Sequence, residues 1–306
     1  MKFKIGDLVT RKSHGNDIVF EILNINYDTV VLKGIEVRLV ADSGIDDLVK
    51  VVDDIDPYRC DRELTERALS ALNLDRSEYF YLPGRILHID ADSNYLERCI
   101  KFYSDLKVEA YGVNMEEDEM ERDIIKKLEE YKPDILVITG HDAYFKSKGS
   151  IKDLDNYQNS KNFVKAVKKA REYESSQEKL IIIAGACQSN YEELIKAGAN
   201  FASSPKRVNI HALDPAIIAS SISLAEKNKS IDLIPMLEKT KYKTDGMGGI
   251  ITNGTMYVGF PRWIKMLWEK KFNKKRAMIT FLSSMEAEIK WKSFLVLLLK
   301  HIPLFF

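Results

Sequence analysis

Apolar segments with strand character alternate with amphipathic helical segments between residues 83 and 225, and this alternation constrains the fold more than any other feature. The strand-like segments are GRILHID, VEAYGV, DILVITG, LIIIAGA and NFASS. Several of them are almost continuously apolar, which is typical of parallel strands buried on both faces. The pattern predicts an α/β domain with an open, flavodoxin-like parallel sheet, strand order 2-1-3-4-5 and helices on both faces.

A different pattern occupies residues 1–56. Short β-branched runs alternate apolar with polar residues and are separated by Gly, Asn and Asp, which favours four or five short antiparallel strands in a small SH3-like β-barrel. This segment has 7 Lys+Arg against 11 Asp+Glu. An acidic module is a poor nucleic-acid binder, so we interpret it as a docking module that can be separated from the chemistry.

Three further segments complete the domain division. Residues 57–82 carry apolar positions at helical spacing and are predicted to form a connecting helix, and residues 83–261 form the α/β domain. Within that domain, Met247-Gly248-Gly249 lacks the lysine of a phosphate-binding loop and is interpreted as a turn. Residues 262–306 form a basic and apolar tail, with 10 Lys+Arg and 3 Asp+Glu, whose role the sequence leaves undetermined.

Composition excludes several classes of protein. Lys+Arg and Asp+Glu are balanced at 46 each, which argues against a surface committed to nucleic acid. Three widely spaced cysteines support neither a disulfide framework nor a zinc site. The chain shows no secretory signal and no apolar run long enough to cross a bilayer. We expect a protein of a reducing compartment that needs no cofactor or metal, and its oligomeric state stays open.

Chemistry in an open α/β sheet is expected at the carboxyl ends of the strands. There DILVITG leads into His141 and LIIIAGA leads into Cys187. In the predicted order these strands are neighbours, about 4.8 Å apart, so the two side chains can meet. A cysteine beside an imidazole is a candidate nucleophile. The two residues are 46 positions apart, close to the roughly 50-residue spacing of His and Cys in caspases.

Small residues precede both candidates. Gly185 and Ala186 allow a sharp turn that exposes the cysteine, and the backbone N–H groups of Cys187 and near Gly140 could stabilise a tetrahedral oxyanion. No third residue is required to hold His141. The other two cysteines, Cys60 and Cys99, lie within helical patterns and are expected to be buried core residues.

Acidic residues of the loop after DILVITG are candidates for contact with a basic substrate side chain. They are Asp142, Asp153 and Asp155. An alternative is a non-catalytic receiver-like scaffold, because GRILHIDADSN resembles the acidic end of the first strand in response regulators. Phosphotransfer is disfavoured, since Thr139-Gly140-His141 occupy the position where the phospho-accepting aspartate should end its strand.

Long blocks of the chain resemble the sporulation-specific protease family called YabG, from about residue 1 to residue 271. The blocks include PGRILHIDADSNYLERC, ITGHDAY, IIIAGACQSNYEELIKAGANFASSPKRVNIHALDP, TKYKTDGMGGI and TMYVGFPR. The resemblance implies a cysteine-type endopeptidase with Cys187 as nucleophile and His141 as base. It further implies a similarity to the caspase-like clan, with Asp142 standing where that clan has a glycine after the histidine.

The same resemblance implies the biological setting. Substrates would be spore coat and germination-related proteins, cleaved after a basic residue, with Arg preferred over Lys. The protein would act in the cytoplasm of the sporulating cell or in association with the spore coat. The alternative function is a scaffold that docks coat proteins without cutting them.

Overall fold

A computed structural model describes residues 3–51, 56–72, 74 and 78–260. The tail at residues 262–306, which the sequence marks as basic and apolar, lies outside the described residues. Described residues up to 72 and from 82 to 257 form one compact unit, while residues 74, 78–81 and 258–260 belong to a second. The N-terminal segment therefore shares a unit with the α/β segment, and a domain boundary at residue 56 stays a prediction.

The N-terminal segment is a five-stranded antiparallel sheet, which confirms the expected strands. Its strands are β1 (Leu8–Arg11), β2 (Phe20–Asn26), β3 (Thr29–Gly34), β4 (Val40–Gly44) and β5 (Leu48–Lys50), in the order β4-β3-β2-β1-β5. Alternate residues such as Phe20, Ile22, Val30 and Leu32 are fully buried in one cluster. The period-two pattern of the sequence thus places its apolar set on one face. The finer assignment as an SH3-like barrel stays a prediction.

Within the predicted connecting segment, residues 57–82, the helix α1 spans Arg59–Ser70, and its role as a connection between domains stays a prediction. Two short strands, β6 (Phe80–Leu82) and β13 (Tyr257–Gly259), pair with each other. Single 3₁₀ turns lie at Lys12–His14, Ile45–Asp47, Lys146–Lys148 and Leu154–Asn156. Within the described ranges, no helix has the length and apolar content needed to cross a membrane.

A six-stranded sheet forms the centre of the α/β segment. Its strands are β7 (Ile86–Asp90), β8 (Ala110–Asn114), β9 (Ile135–Thr139), β10 (Ile181–Ala184), β11 (Phe201–Ser203) and β12 (Met247–Gly249). Its helices are α2 (Ser93–Asp105), α3 (Met120–Tyr131), α4 (Ser160–Tyr173), α5 (Tyr191–Lys196), α6 (Asp214–Ser223), α7 (Leu233–Leu237) and α8 (Lys243–Gly246).

The strand order is β12-β11-β10-β9-β7-β8, with β7 to β11 parallel. Among the five parallel strands this is the order 2-1-3-4-5, as predicted. The interpretation of Met247-Gly248-Gly249 as a turn is wrong, because these residues form β12, antiparallel to β11. A Cβ at Gly249 would lie 2.3 Å from the Phe201 ring. Glycine lets this edge strand approach a large buried side chain. A glycine-rich sequence of this kind also resembles a turn, which explains the wrong interpretation.

Both faces of the sheet are covered, as the apolar strands predict. Ile135 and Val137 of β9 point into one cluster, formed with α1, α2, α6 and α7. Their neighbours Leu136 and Ile138 point into the other, formed with α3, α4 and α5. Each such fully buried side chain contributes roughly 1.5–3 kcal/mol to folding. The two clusters fix the sheet and leave the carboxyl ends of its strands to carry polar residues.

Candidate active site

His141 follows the carboxyl end of β9 and is held by three groups. Its ring Nε2 lies 3.1 Å from Oδ2 of Asp92, and its backbone N–H donates to Oε1 of Glu117 at 2.7 Å. The ring packs against Tyr95, with 5.8 Å between the ring centroids. The second ring nitrogen, Nδ1, is buried and has no hydrogen-bond partner within the described residues. The imidazole is therefore held through Nε2, while Nδ1 stays without a hydrogen-bond partner among the described residues.

Asp92, which the sequence did not single out as a partner of His141, lies 49 positions before it. Its Oδ1 caps helix α2 by accepting the backbone N–H groups of Asn94 and Tyr95. Lys33 of β3 places Nζ 2.6 Å from Oδ2. Burial opposes ionisation of Asp92, but hydrogen bonds from His141 and Lys33 outweigh it and hold its pKa well below the ordinary value. The sequence feature that could have identified Asp92 is its position just after β7, the strand that neighbours β9.

Glu117 explains why a glycine precedes the histidine. A Cβ at Gly140 would lie 2.5 Å from Oε1 of Glu117 and 3.0 Å from Cβ of Ala91. Burial raises the pKa of Glu117, although the N–H of His141 partly opposes that effect. A side chain at position 140 would displace the carboxylate that positions the backbone of His141.

Cys187 follows the carboxyl end of β10 through a tight turn. Gly185 has a φ of +104°, a conformation that favours glycine, and a Cβ there would lie 2.8 Å from Leu194. The N–H of Ala186 donates to Oγ of Ser189 at 2.9 Å. Within the described chain, the backbone N–H of Cys187 makes no hydrogen bond. The predicted turn is present, with one free donor beside the thiol.

The expectation that this turn exposes the thiol is wrong for this conformation. Cys187 is 0% exposed, and the N–H of Ile210 donates to its Sγ at 3.2 Å. Burial raises the pKa of the thiol to about 12, opposed in part by the Ile210 hydrogen bond and by the charge of Arg38. The thiol is therefore protonated at neutral pH in this conformation, because a thiolate is poorly solvated among apolar groups.

A loop covers the thiol, and we name residues 204–212 the covering segment. Ile210 belongs to this segment. A second hydrogen bond holds it, because the backbone N–H of Gln188 donates to the carbonyl of Val208 at 3.1 Å. Its far end is bonded to the connection between β3 and β4 of the N-terminal sheet. The Arg38 N–H donates to the Ile210 carbonyl at 3.1 Å, and the Ala212 N–H donates to the Glu36 carbonyl at 3.0 Å. The thiol is thus covered by a segment that the N-terminal sheet holds down.

Arg38, between β3 and β4, links the N-terminal segment to the central sheet. Its side chain is fully buried, and Nη1 lies 2.6 Å from Oδ2 of Asp90 at the end of β7. Nη2 donates to the Ala212 carbonyl at 2.9 Å and approaches Sγ of Cys99 at 3.4 Å. Burial opposes ionisation of Asp90, but Arg38 outweighs it and lowers the pKa of that carboxyl. Cys99 and Cys60 are buried, as expected.

The two candidate residues follow neighbouring parallel strands at the same distance along the chain. Ile138 of β9 pairs with Ala184 of β10, and His141 and Cys187 each lie three residues beyond that pair. Burial raises the pKa of Tyr95, and the nearby charge of Asp92 and thiol of Cys187 add to the effect. Three adjacent strands thus deliver Asp92 after β7, His141 after β9 and Cys187 after β10, with His141 in the middle.

The three loop acids have different surroundings. Asp142 is buried, and its two oxygens accept the hydroxyls of Ser160 and Ser189 and the backbone N–H groups of Asn159 and Ala143. Asp153 accepts the N–H of Asp155, whose own carboxylate lies 2.7 Å from Lys161. Asp142 thereby ties the loop after His141 to the turn after Cys187. A role in binding substrate stays a prediction for all three.

A cavity of about 880 Å³ opens between the N-terminal sheet, α1 and α2. Lys33 and Tyr95 line it, together with Tyr58, Asp61, Arg98 and Phe102. Neither His141 nor Cys187 lines this cavity, so it is not where a peptide bond would meet the thiol. Among the residues described here, no group of three or more His, Cys, Asp or Glu could hold a metal ion.

His141 and Cys187 thus follow neighbouring strands of an open α/β sheet. A profile of the family described as YabG peptidase U57 matches residues 4–261. The sporulation-specific protease YabG of Bacillus subtilis (strain 168) is 42% identical over 286 aligned positions, covering 85% of this chain and 99% of that protein. The chain therefore belongs to the YabG family of peptidases.

Proposed function

We propose that this protein is a sporulation-associated cysteine endopeptidase in which Cys187 is the nucleophile and His141 the general base. One observation carries the proposal. The imidazole after β9 keeps a buried Nδ1 free of hydrogen bonds among the described residues, and Cys187 follows β10, the parallel strand that pairs with β9. Membership of a peptidase family and the name of the 42% identical relative support the reaction class and the setting.

The reaction would be acyl transfer in two halves. His141 takes the thiol proton through Nδ1, and the Cys187 sulfur attacks the substrate carbonyl to give a tetrahedral oxyanion. The backbone N–H of Cys187 donates to that oxyanion in this proposal. The C–N bond then breaks, the leaving amine takes the proton from the imidazolium, and a thioester remains. Water, deprotonated by His141, hydrolyses the thioester and restores the thiol.

Reaction requires the thiol to become accessible. In the present conformation Cys187 is fully buried and bonded to the Ile210 N–H of the covering segment. A substrate carbonyl has to displace that segment before it reaches Sγ. We therefore place the opening of residues 204–212 before the chemical step, as loop motions often are in enzymes.

The finer features belong to the same proposal. The substrates are spore coat and germination-related proteins, cut after a basic residue, with Arg preferred, since a guanidinium pairs with a carboxylate in bidentate fashion. In this proposal the α/β segment has a caspase-like fold. The N-terminal sheet is an SH3-like barrel that docks large substrates. The protein works in the sporulating cell, in its cytoplasm or at the coat.

A peptide library tests the proposal directly. The full chain and its Cys187→Ala and Cys60→Ala variants are incubated with a proteome-derived library, and the cleaved bonds are mapped by mass spectrometry. We expect cleavage after Arg by the wild-type chain and by Cys60→Ala, because Cys60 is a buried cysteine of α1 and serves as the matched control. Equal cleavage by Cys187→Ala would refute the nucleophile, and bonds without a basic preference would refute the specificity.

A further inference from the structure

Asp92 lies between a helix cap, a lysine and the candidate base, and its two oxygens are used differently. Oδ1 accepts the backbone N–H groups of Asn94 and Tyr95 at 3.0 and 3.1 Å. Oδ2 lies 3.1 Å from Nε2 of His141. A cap alone requires one oxygen, so the contact with the histidine is an additional property of this carboxylate.

The charge state of Asp92 determines which histidine nitrogen carries the proton. An ionised carboxylate only accepts hydrogen bonds, so Nε2 has to donate. In the neutral imidazole Nδ1 is then the unprotonated nitrogen, and it is the one without a partner among the described residues. Because a base needs a free lone pair, this tautomer presents the useful nitrogen on the side of the ring away from Asp92.

Lys33 prevents Asp92 from turning away. Its Nζ lies 2.7 Å from Oδ1 and 2.6 Å from Oδ2, and it also lies 4.6 Å from the centre of the Tyr95 ring. The lysine side chain is 11% exposed and that of Asp92 is 10% exposed. An ion pair removed from solvent in this way is screened little by salt. Because Lys33 belongs to β3, the N-terminal sheet supplies one end of the arrangement.

We propose that Asp92 is the positioning residue of His141, orienting the imidazole with Nδ1 free, and that Lys33 of the N-terminal sheet fixes Asp92 in that role. The inference rests on the proposed function, which makes His141 the base. Other charged or titratable groups also surround the imidazole. Glu117 contacts its backbone N–H, Tyr95 contacts its ring, and Arg38 stands 5.1 Å from the Tyr95 ring. None of these three contacts a ring nitrogen of His141 in the structure.

Two substitutions separate positioning from capping. Asp92→Asn and Asp92→Ser both keep a side chain that caps helices well. Serine is too short to reach Nε2, and the asparagine amide can donate to Nε2, which shifts the proton to Nδ1. We expect kcat for an Arg peptide to fall roughly 10²- to 10⁴-fold in both variants, with KM little changed. Lys33→Met should lower kcat by a smaller factor.

The matched control is Asp7→Asn. Asp7 is also a buried carboxylate, accepting a backbone N–H from Lys4 and Nζ of Lys50, both at 3.0 Å, without a histidine partner. Its substitution should change thermal stability to an extent similar to Asp92→Asn and leave kcat at the wild-type value. If kcat falls equally in both variants, the Asp92 effect is structural and the inference is overturned.

Nitrogen-15 NMR of the histidine ring gives a second readout that does not depend on turnover. The chain has five histidines, and the His141→Ala variant assigns the signal. We expect the Nε2–H tautomer in the wild-type chain and the Nδ1–H tautomer in Asp92→Asn. An unchanged tautomer with unchanged kcat would refute positioning by Asp92. Full activity in Cys187→Ala or His141→Ala would instead refute the proposed function itself, so the two failures are distinguishable.

Discussion

The two halves of the candidate site are built in opposite ways. His141 is surrounded by charged partners, with Asp92 at its ring, Glu117 at its backbone and Lys33 behind Asp92. Cys187 is fully buried and bonded to the backbone N–H of Ile210, in a setting that raises its pKa to about 12. The proposed base is therefore assembled before substrate arrives, whereas the proposed nucleophile is stored in neutral form under the covering segment. Under the proposed function, activity depends on uncovering Cys187 rather than on assembling the surroundings of His141.

The largest expected effect tests whether the two halves act as one unit. Alanine at either Cys187 or His141 should lower kcat/KM by roughly 10⁴-fold or more, and the double variant should lose little beyond either single variant. The reason is that neither half works without the other. Steady-state kinetics with an Arg peptide measures this. Additive losses would show that the two residues contribute independently and would contradict the comparison.

A second prediction concerns the reactivity of the stored thiol. The thiol pKa of Cys187 is raised from 9.0 to about 12, so at pH 8 its thiolate fraction should be about 10³-fold below that of a free thiol. Alkylation by iodoacetamide should be slow at neutral pH and should accelerate about tenfold per pH unit up to the pKa. Mass spectrometry of the modified peptide follows the rate. Rapid alkylation at pH 7 in the folded chain would show that the covering segment does not bury the thiol in solution.

The third prediction concerns the link between the sheets. Arg38→Met leaves the Asp90 carboxylate buried without its partner at 2.6 Å, and the free energy of unfolding should fall by roughly 3–5 kcal/mol. Removal of residues 1–56 should impair folding for the same reason, contrary to the separability inferred from the sequence pattern. Urea unfolding measures the difference. As a control, Lys101→Met removes a solvent-exposed i,i+4 pair with Asp105 and should cost less than about 1 kcal/mol.

The smallest effect is expected at the exposed end of the loop after His141. Asp155→Asn removes an ion pair with Lys161, and both side chains are more than half exposed to solvent. Stability should change by less than about 1 kcal/mol. If Asp155 contacts a basic substrate side chain, KM for Arg peptides should rise while kcat stays the same. An unchanged KM in both Asp155→Asn and Asp153→Asn would place the specificity acid elsewhere.

Local pattern was enough to predict the sheet, its strand order and the strand ends that carry His141 and Cys187. Apolar runs such as LIIIAGA report burial on both faces, and a parallel sheet has few arrangements that satisfy them. The edge strand β12 was missed, because Met247-Gly248-Gly249 owes its conformation to a distant contact with Phe201. Periodicity has no means of registering such a contact.

The partners of the candidate residues could not be predicted from the sequence, for a related reason. Asp92 meets His141 across 49 positions, and Arg38 meets Asp90 across 52. Both contacts depend on how segments distant in the sequence pack against each other, which residue spacing does not encode. The burial of Cys187 depends on the covering segment, whose conformation is fixed by backbone hydrogen bonds to residues 36–38. Side-chain identity therefore yields the candidate residues, while their burial and their partners depend on packing.

Trapping with a peptidyl electrophile is the most direct test of the central claim that Cys187 attacks the substrate carbonyl. An Arg-containing peptidyl vinyl sulfone should form one covalent adduct, mapped by mass spectrometry to Sγ of Cys187, and the adduct should be absent in Cys187→Ala. Reaction should be far slower in His141→Ala, because the thiol would then lack its base. An adduct on another residue, or undiminished peptide hydrolysis by the fully modified protein, would contradict the account.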